Sequence, residues 1–233
     1  MRIISWNCQG AFRKKYSILA EYNADIYVIQ ECEDPESQVA SGYSQFAANY
    51  YWAGTLKHKG LGVFAKPSIT LEKLPWDNHL LRQFMPIRVN NRFTLLALWA
   101  CSPYIEEYAI YQDIHIGKYT RDMIIIGDTN SNKSFDDRRK LRLTEKRSHI
   151  SVLENLSQIG LCSAYHATTK EMQGEESTAT FYLRRNKDKP YHIDHCFIEE
   201  SRIIAYRVLN ANDKERDYWL TYSDHIPLIL DIS

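Results

Sequence analysis

The sequence predicts a layered α/β fold, with β-sheets buried between helices, on three observations. Short apolar runs rich in β-branched and aromatic residues recur along the whole chain and outnumber the helix-like stretches. Some runs alternate in polarity and others are continuously apolar, the second pattern being that of strands covered on both faces. No repeat, low-complexity tract or Pro/Gly-rich linker interrupts them, so residues 1–233 read as one domain.

In chain order, the spacing predicts strands at Arg2–Asn7, Asp25–Gln30, Leu61–Ala65, Pro86–Val89, Phe93–Ala100, Met123–Ile126, Thr180–Leu183, His192–Ile198, Ile203–Leu209 and Ile226–Ile232. Helices are predicted at Lys14–Tyr22, Ile105–Tyr119 and Ser148–Gln158. The last carries Ile150, Leu153, Leu156 and Ile159 on one face, with Gly160 as its stop.

Composition excludes several classes. The 233 residues are 44% hydrophobic and 12% aromatic, which argues against disorder. A unit of this size buries roughly 70% of its unfolded surface without needing disulfides or a partner. The longest purely apolar run, Leu95–Cys101, is far too short to span a bilayer. The opening MRIISWNCQG lacks the features of a secretory signal, so a soluble, cytoplasmic protein is expected, with a monomer as the default. Five scattered cysteines, never in a CxxC pair, disfavour a disulfide framework and a zinc knuckle. Basic and acidic residues balance at 29 each, which removes the simplest argument for a nucleic-acid partner and directs attention to how charge is distributed.

Chemistry gathers where strands end. Asn7 and Gln9 follow the first strand, Glu31 the second, and Gly127, Asp128 and Asn130 follow Met123–Ile126. His192 and Asp194 lie among apolar neighbours, and Ser223-Asp224-His225 opens the final strand. Oxygen donors of this kind suit a hard cation such as Mg²⁺, or Mn²⁺, which takes carboxylates, waters and phosphate oxygens. An Asp–His pair supplies a general base, and amides donate to charged oxygens without adding charge. The set is one for phosphoester hydrolysis. Taken singly, each piece has an ordinary explanation: GDTN is good turn chemistry, and Glu31 or Asp224 alone would be a solvated strand end or a cap.

Together, WNCQG, QE, GDTN, HIDH and SDHIPL, in that order from residue 6 to residue 228, resemble the endonuclease/exonuclease/phosphatase superfamily. The resemblance implies a four-layered α/β sandwich, two mixed sheets packed face to face with helices outside, and a Mg²⁺- or Mn²⁺-dependent site at one rim. It implies that Glu31 is the principal metal ligand, that Asn7 lines the metal and phosphate pocket, and that Asp224 sits beside the metal. Asp128 and Asn130 would orient or activate the attacking water. Asp194 would buttress His225, the general base or phosphate contact; whether Asp128 or His225 takes the proton stays open.

Two departures stand out. Gln9 occupies a position where apurinic endonucleases carry an Asp, and it is a poorer metal ligand. Trp99, Ala100 and Cys101 stand where most members place a phosphate-contacting His or Tyr. Trp offers only an uncharged indole N–H, so His192, His166 or a basic loop side chain must substitute, or the contact is lost. Charge is uneven: residues Ser131 to Arg147 hold seven basic side chains, Arg138 and Arg139 among them, against three acidic ones. Arg184, Arg185, Lys187 and Lys189 precede HIDH. Such placement presents a positive rim to a polyanion, with Gln9, His192, Arg138 and Arg139 as candidate substrate contacts. The expected activity is metal-dependent cleavage of DNA or RNA phosphodiesters. The alternatives are a phosphatase or phosphodiesterase for a small or lipid-derived phosphate, and a catalytically impaired nucleic-acid-binding member.

Overall fold

A computed structural model describes residues 1–37, 41–136 and 147–233. The segment Arg2–Asn7 forms β1, with five consecutive buried residues, because it is central in its sheet and covered on both faces. With β2 (Ile26–Cys32), β3 (Tyr50–Leu56), β4 (Lys59–Ala65), β13 (Ile203–Val208) and β14 (Leu228–Ile232) it builds a six-stranded sheet in the order β13-β14-β1-β2-β4-β3. The second sheet holds β5 (Leu71–Lys73), β6 (Phe84–Val89), β7 (Phe93–Trp99), β8 (Ile124–Asp128), β9 (Cys162–Ser163) and β12 (Asp194–Ile198), in the order β5-β6-β7-β8-β12-β9. Both sheets are mixed: β1 with β2 and β7 with β8 are parallel pairs among antiparallel neighbours. Phe181–Tyr182 (β10) and Pro190–Tyr191 (β11) make a small separate hairpin.

Side-chain alternation explains the layering. Leu95, Ala97, Ile124 and Ile126 join the core between the sheets. Their neighbours Leu96, Leu98 and Ile125 join a second core with α3 (Ile105–His115) and α5 (His149–Ile159) on the outer face. Each such aliphatic side chain contributes roughly 1.5–3 kcal/mol on burial. The continuously apolar strand is thus the signature of a sheet with a layer on each side, and the two sheets with their helices form the α/β sandwich.

Boundaries move in places. The helix expected at Lys14–Tyr22 is a 3-10 turn at Phe12–Lys14 followed by the short α1 (Tyr16–Ala20). The strand expected from His192 starts at Asp194, and Thr180–Leu183 contracts to β10. In α5 the buried face centres on Val152 and Leu156, while Ile150 is exposed, rotating the expected stripe. A reciprocal box starts that helix: the Ser151 amide donates to Ser148 Oγ at 3.1 Å and the Ser148 amide to Ser151 Oγ at 2.9 Å. Short or edge elements escaped the sequence pattern: β3, β5, β9, β11, α2 (Ser41–Phe46), α4 (Lys133–Asp136), α6 (Ala164–Thr169) and α7 (Asp213–Leu220). The polar α7 is anchored by two adjacent buried residues, Trp219 and Leu220, and the Trp219 ring meets Trp6 edge-on at 5.5 Å.

Parallel pairing places the chemistry. The C-terminal ends of β1, β2, β7 and β8 and the N-terminal ends of their antiparallel neighbours β12 and β14 reach one rim. Across it run Trp99, Asp128 and Asp194 as successive partners in one sheet, and Asn7 beside Gln30 in the other. Gly127 permits this approach. At φ 149° a Cβ there would lie 1.9 Å from the Leu98 carbonyl oxygen. Gly127→Ala is expected to force β7 from β8 and to destabilise the protein by roughly 3 kcal/mol or more in denaturant titration; an unchanged midpoint would contradict the packing.

Candidate active site

Asp128 is completely buried at the end of β8, and its two oxygens are almost fully engaged. Oδ1 accepts the Asn130 amide at 2.8 Å, while Oδ2 accepts Nδ2 of Asn7 at 3.0 Å and Nδ2 of Asn130 at 3.1 Å. Asn130 also donates to the Ala100 carbonyl at 3.1 Å, which pins the turn after β8 to the end of β7. Asp194 faces the same row, and its carboxylate accepts His225 Nδ1 at 2.9 and 3.1 Å. His225 Nε2 then points toward Asp128 Oδ2, 3.9 Å away, too far for a direct hydrogen bond.

The surroundings fix this geometry. Thr180 Oγ1 accepts the Ile193 and Asp194 amides, both at 3.0 Å, and holds the start of β12. Ser223 Oγ donates to the Asn7 carbonyl at 2.7 Å and accepts the His225 amide at 3.1 Å, tying the two strand ends together. The Phe181 ring lies 4.6 Å from the imidazole and limits its tilt. Thr180, Phe181 and Ser223 act by position rather than by charge, so only their adjacency to the motifs could have marked them.

Glu31 arrives by a different device. The pairing of β2 with β4 slips between Gln30 and Cys32, so Glu31 is the extra residue of a bulge, with φ 60°. The bulge turns its side chain to the rim, where it remains 20% exposed. Glu31 Oε1 stands 3.4 Å from Asn7 Nδ2, and Oε2 3.1 Å from Lys59 Nζ. Lys59 Nζ also lies 5.3 Å from the centre of the Trp99 ring. Glu33, two residues on, turns away: it accepts the Phe12 and Arg13 amides at 2.7 and 2.9 Å and the Arg13 guanidinium at 2.9 Å.

Of the expected site residues, Asn7, Glu31, Asp128, Asn130, Asp194 and His225 converge, and half-buried Asp224 lies beside them. Gln9 reaches the rim, but its Oε1 is taken by Arg185, at 2.5 Å from Nη2 and 3.2 Å from Nε. His192 is a correction. It is 4% exposed, its Nδ1 is 2.7 Å from the Thr178 carbonyl, and its ring packs on Tyr165 and His195, so it sits in a separate aromatic patch rather than with the converging residues. His166 is committed to Glu176, at 3.1 Å, in the same polar patch, so neither histidine fills the place beside Trp99. Arg138 and Arg139 lie outside the described residues.

The site is short of positive charge. Burial, reinforced by Asp194, pushes the Asp128 carboxyl up to about 7. Burial alone would lower the His225 imidazolium, but the carboxylates of Asp194 and Asp128 outweigh it and raise it to about 9. Burial likewise raises Asp224. Asp128, Asp194 and His225 are close enough to share an ion, but an imidazole held protonated by two carboxylates is a poor ligand. Glu31, Asp224 and Asn7 supply oxygen donors at the open side, and the excess acidity that retains a proton on Asp128 is what a divalent cation would relieve. The residues present therefore fit a hard metal ion.

Two facing mixed sheets with a buried Asp–His pair, paired amides and an exposed glutamate at one rim define a phosphoester-hydrolase type of site. The chain belongs to the endonuclease/exonuclease/phosphatase family, whose model matches residues 4–225; its members are phosphoester hydrolases that generally depend on a divalent metal. Similar solved structures include a 3'-5' exonuclease (NExo) from Neisseria meningitidis, at 17% identity and a TM-score of 0.65 over 100% of both chains. An AP endonuclease from Archaeoglobus fulgidus gives 13% identity and a TM-score of 0.70 over 100% of this chain and 99% of that one. A Neisseria 3' phosphatase NExo bound to a product DNA hairpin gives 15% and 0.64 over 100% and 99%. No curated protein matches. No helix among the described residues is long and apolar enough to cross a membrane.

Asp128 and His225 both hold protons more tightly folded than unfolded, so without metal stability falls as pH rises. The Asp128 contribution is full below 3.8 and lost as pH rises through about 7. That of His225 is full below 6.5 and lost as pH rises through about 9. In EDTA the melting temperature is expected to drop across the upper window, and Asp194→Asn to flatten that drop by removing the main partner of His225. Equal slopes in both proteins would refute the pairing.

Proposed function

We propose that this protein is a divalent-metal-dependent phosphodiesterase acting on nucleic acid, with residues 1–233 serving as one catalytic domain. The observation that carries the reading is the buried Asp194–His225–Asp128 row: an imidazole fixed at Nδ1 presents Nε2 beside a carboxyl that itself has raised proton affinity. Glu31, with Asn7 and Asp224, would hold Mg²⁺ or Mn²⁺, which would supply Lewis-acid polarisation of the phosphate and position the attacking water.

The remaining work falls to this chain's own groups. Asp128, oriented by Asn7 and Asn130, takes the proton of the attacking water, its affinity lying near neutral pH where a base is most effective. His225, kept charged by Asp194, donates from Nε2 to a non-bridging phosphate oxygen and stabilises the charge that develops on it. Asn130 and Asn7 offer amide donors without adding negative charge.

A nucleic-acid substrate is supported by the cations that border the rim. The β3–β4 hairpin brings Lys57 and Lys59 to one side, and the turn after β10 brings Arg184 and Arg185 to the other. The exonuclease and AP endonuclease among the solved neighbours, and the neighbour named as a 3' phosphatase that is bound to a DNA hairpin, favour a nucleic-acid substrate.

With Mg²⁺ or Mn²⁺ the purified protein is expected to cleave DNA, RNA or bis(p-nitrophenyl) phosphate, and EDTA to abolish the activity. Glu31→Gln, Asp128→Asn and His225→Ala should each lower kcat by about a hundredfold or more at unchanged fold. Full activity in all three would sink the assignment. Activity on long DNA should fall steeply with added salt while that on bis(p-nitrophenyl) phosphate does not; equal, weak salt dependence would favour a small phosphoester as the substrate.

A further inference from the structure

Lys59 occupies a place that no motif assigns. Its Nζ bridges the two sheets across the mouth of the site, 3.1 Å from Glu31 Oε2 in one and 5.3 Å from the centre of the Trp99 ring in the other. Trp99 is the strand neighbour of Asp128, so the ammonium stands at the Trp99 end of the row that runs through Asp128 to Asp194 and His225. We propose that Lys59 is the cationic phosphate contact of this site, supplied by the β3–β4 hairpin and seated on Trp99; this rests on the phosphoesterase reading above.

The hairpin holds the lysine in register. Gly60 pairs with Cys32 just past the Glu31 bulge, which sets Lys59 diagonally across from Glu31. A Cβ at Gly60 would stand 2.4 Å from the Trp52 ring and 2.5 Å from the Ala53 carbonyl oxygen, so β4 lies against β3 here with no room to slide. Only the flexible stem of Lys59 is free to move, and the side chain is 43% exposed.

Charge decides what the ammonium does during turnover. A divalent cation on Glu31 would displace Nζ from Oε2, and two cations so close repel unless an anion lies between them. The reach of Nζ is bounded by the Trp99 face, which attracts a cation but does not neutralise it. A phosphate between the metal ligands and His225 supplies the missing anion. Unlike the indole N–H of Trp99, an ammonium offers three donors and a full charge.

The test separates a phosphate contact from a mere counter-ion to Glu31. Lys59→Met keeps the stem and removes the charge, whereas Lys59→Arg keeps the charge; the exposed position leaves folding intact, checked by thermal melts. Three quantities are measured: Mg²⁺ affinity, thymidine 5'-monophosphate affinity by calorimetry in saturating Mg²⁺, and kcat and KM on bis(p-nitrophenyl) phosphate. Lys59→Met is expected to bind Mg²⁺ more tightly but to lose about tenfold or more in nucleotide affinity and about tenfold to a hundredfold in kcat/KM, with Lys59→Arg recovering much of both. Tighter Mg²⁺ binding with nucleotide affinity and kcat/KM unchanged would overturn the proposal while leaving the hydrolase intact. A wild-type protein that hydrolyses nothing, yet binds the nucleotide in a Lys59-dependent way, would sink the hydrolase and retain the contact. A wild-type protein that hydrolyses the diester but has no nucleotide affinity overturns the contact alone, and one that neither hydrolyses nor binds overturns both.

Discussion

The complete burial of Asp128 is the constraint from which the rest of the site follows. A carboxyl at the end of a central strand, beside Asp194 on the next one, has no access to bulk water. Leaving either group unpaired in that position costs about 3–5 kcal/mol, as for any broken buried ion pair. Two asparagines, one backbone amide and one imidazolium meet this demand. They come from three residues, Asn7, Asn130 and His225, in three separate parts of the chain, and Ser223 and Thr180 hold those parts in place. The same arrangement that satisfies Asp128 sets its proton affinity, so the stability of the rim and its chemistry are one problem in electrostatics.

Backbone strain marks the same rim. Gln9, Glu31 and Asn130 all sit at φ values between 49° and 60°, in the left-handed region that side chains avoid. Residues held there cost about 1–3 kcal/mol each and persist when the surroundings over-determine them. Here they do: the Gln9 amide donates to Asn7 Oδ1 at 3.1 Å, the Asn130 amide to Asp128, and Glu31 is the bulge itself. Gln9 and Asn130 follow strands that run toward the rim and Glu31 interrupts one, and the reversal at each lets a side chain point across the rim instead of into solvent.

Much of this was legible in the sequence, for a definite reason. Glu31, Asp128, Asn130, Asp194 and His225 end or begin apolar strands, and a strand end is visible as a change from apolar to polar residues. Motif order then carried what spacing could not, namely that these five ends share a rim. Signals faded where function depends on a contact between distant surfaces. Lys59 looks like any hairpin lysine; its meaning lies in the slip of β2 against β4 and in the face of Trp99. His192 drew attention because it stands in the HIDH motif, two residues before Asp194. Yet β12 begins only at Asp194, so His192 precedes the regular pleat and turns into the Tyr165 patch. The polar α7 was hidden for the opposite reason: Trp219 and Leu220, adjacent in sequence at its end, anchor it, and two neighbours set no helical period.

Net neutrality, 29 charges of each sign, takes on a different meaning at this scale. Charges act over roughly 8 Å at physiological salt, so a polyanion at the rim senses neighbouring side chains rather than the total. What matters is which cations keep their charge uncancelled. Lys187 does not, being paired with Asp217 at 2.6 Å. Among the described residues Arg185 is held by neutral acceptors, the Gln9 amide and the Thr221 and Tyr222 carbonyls, and Lys15 by the Cys8 and Tyr222 carbonyls. Both are fixed in position without losing charge. Lys59 is paired with Glu31 at 3.1 Å, a carboxylate that a metal ion would take. A metal ion would therefore do more than fill the site: it would release a third cation at the rim and turn an acidic cleft into one that accepts phosphate.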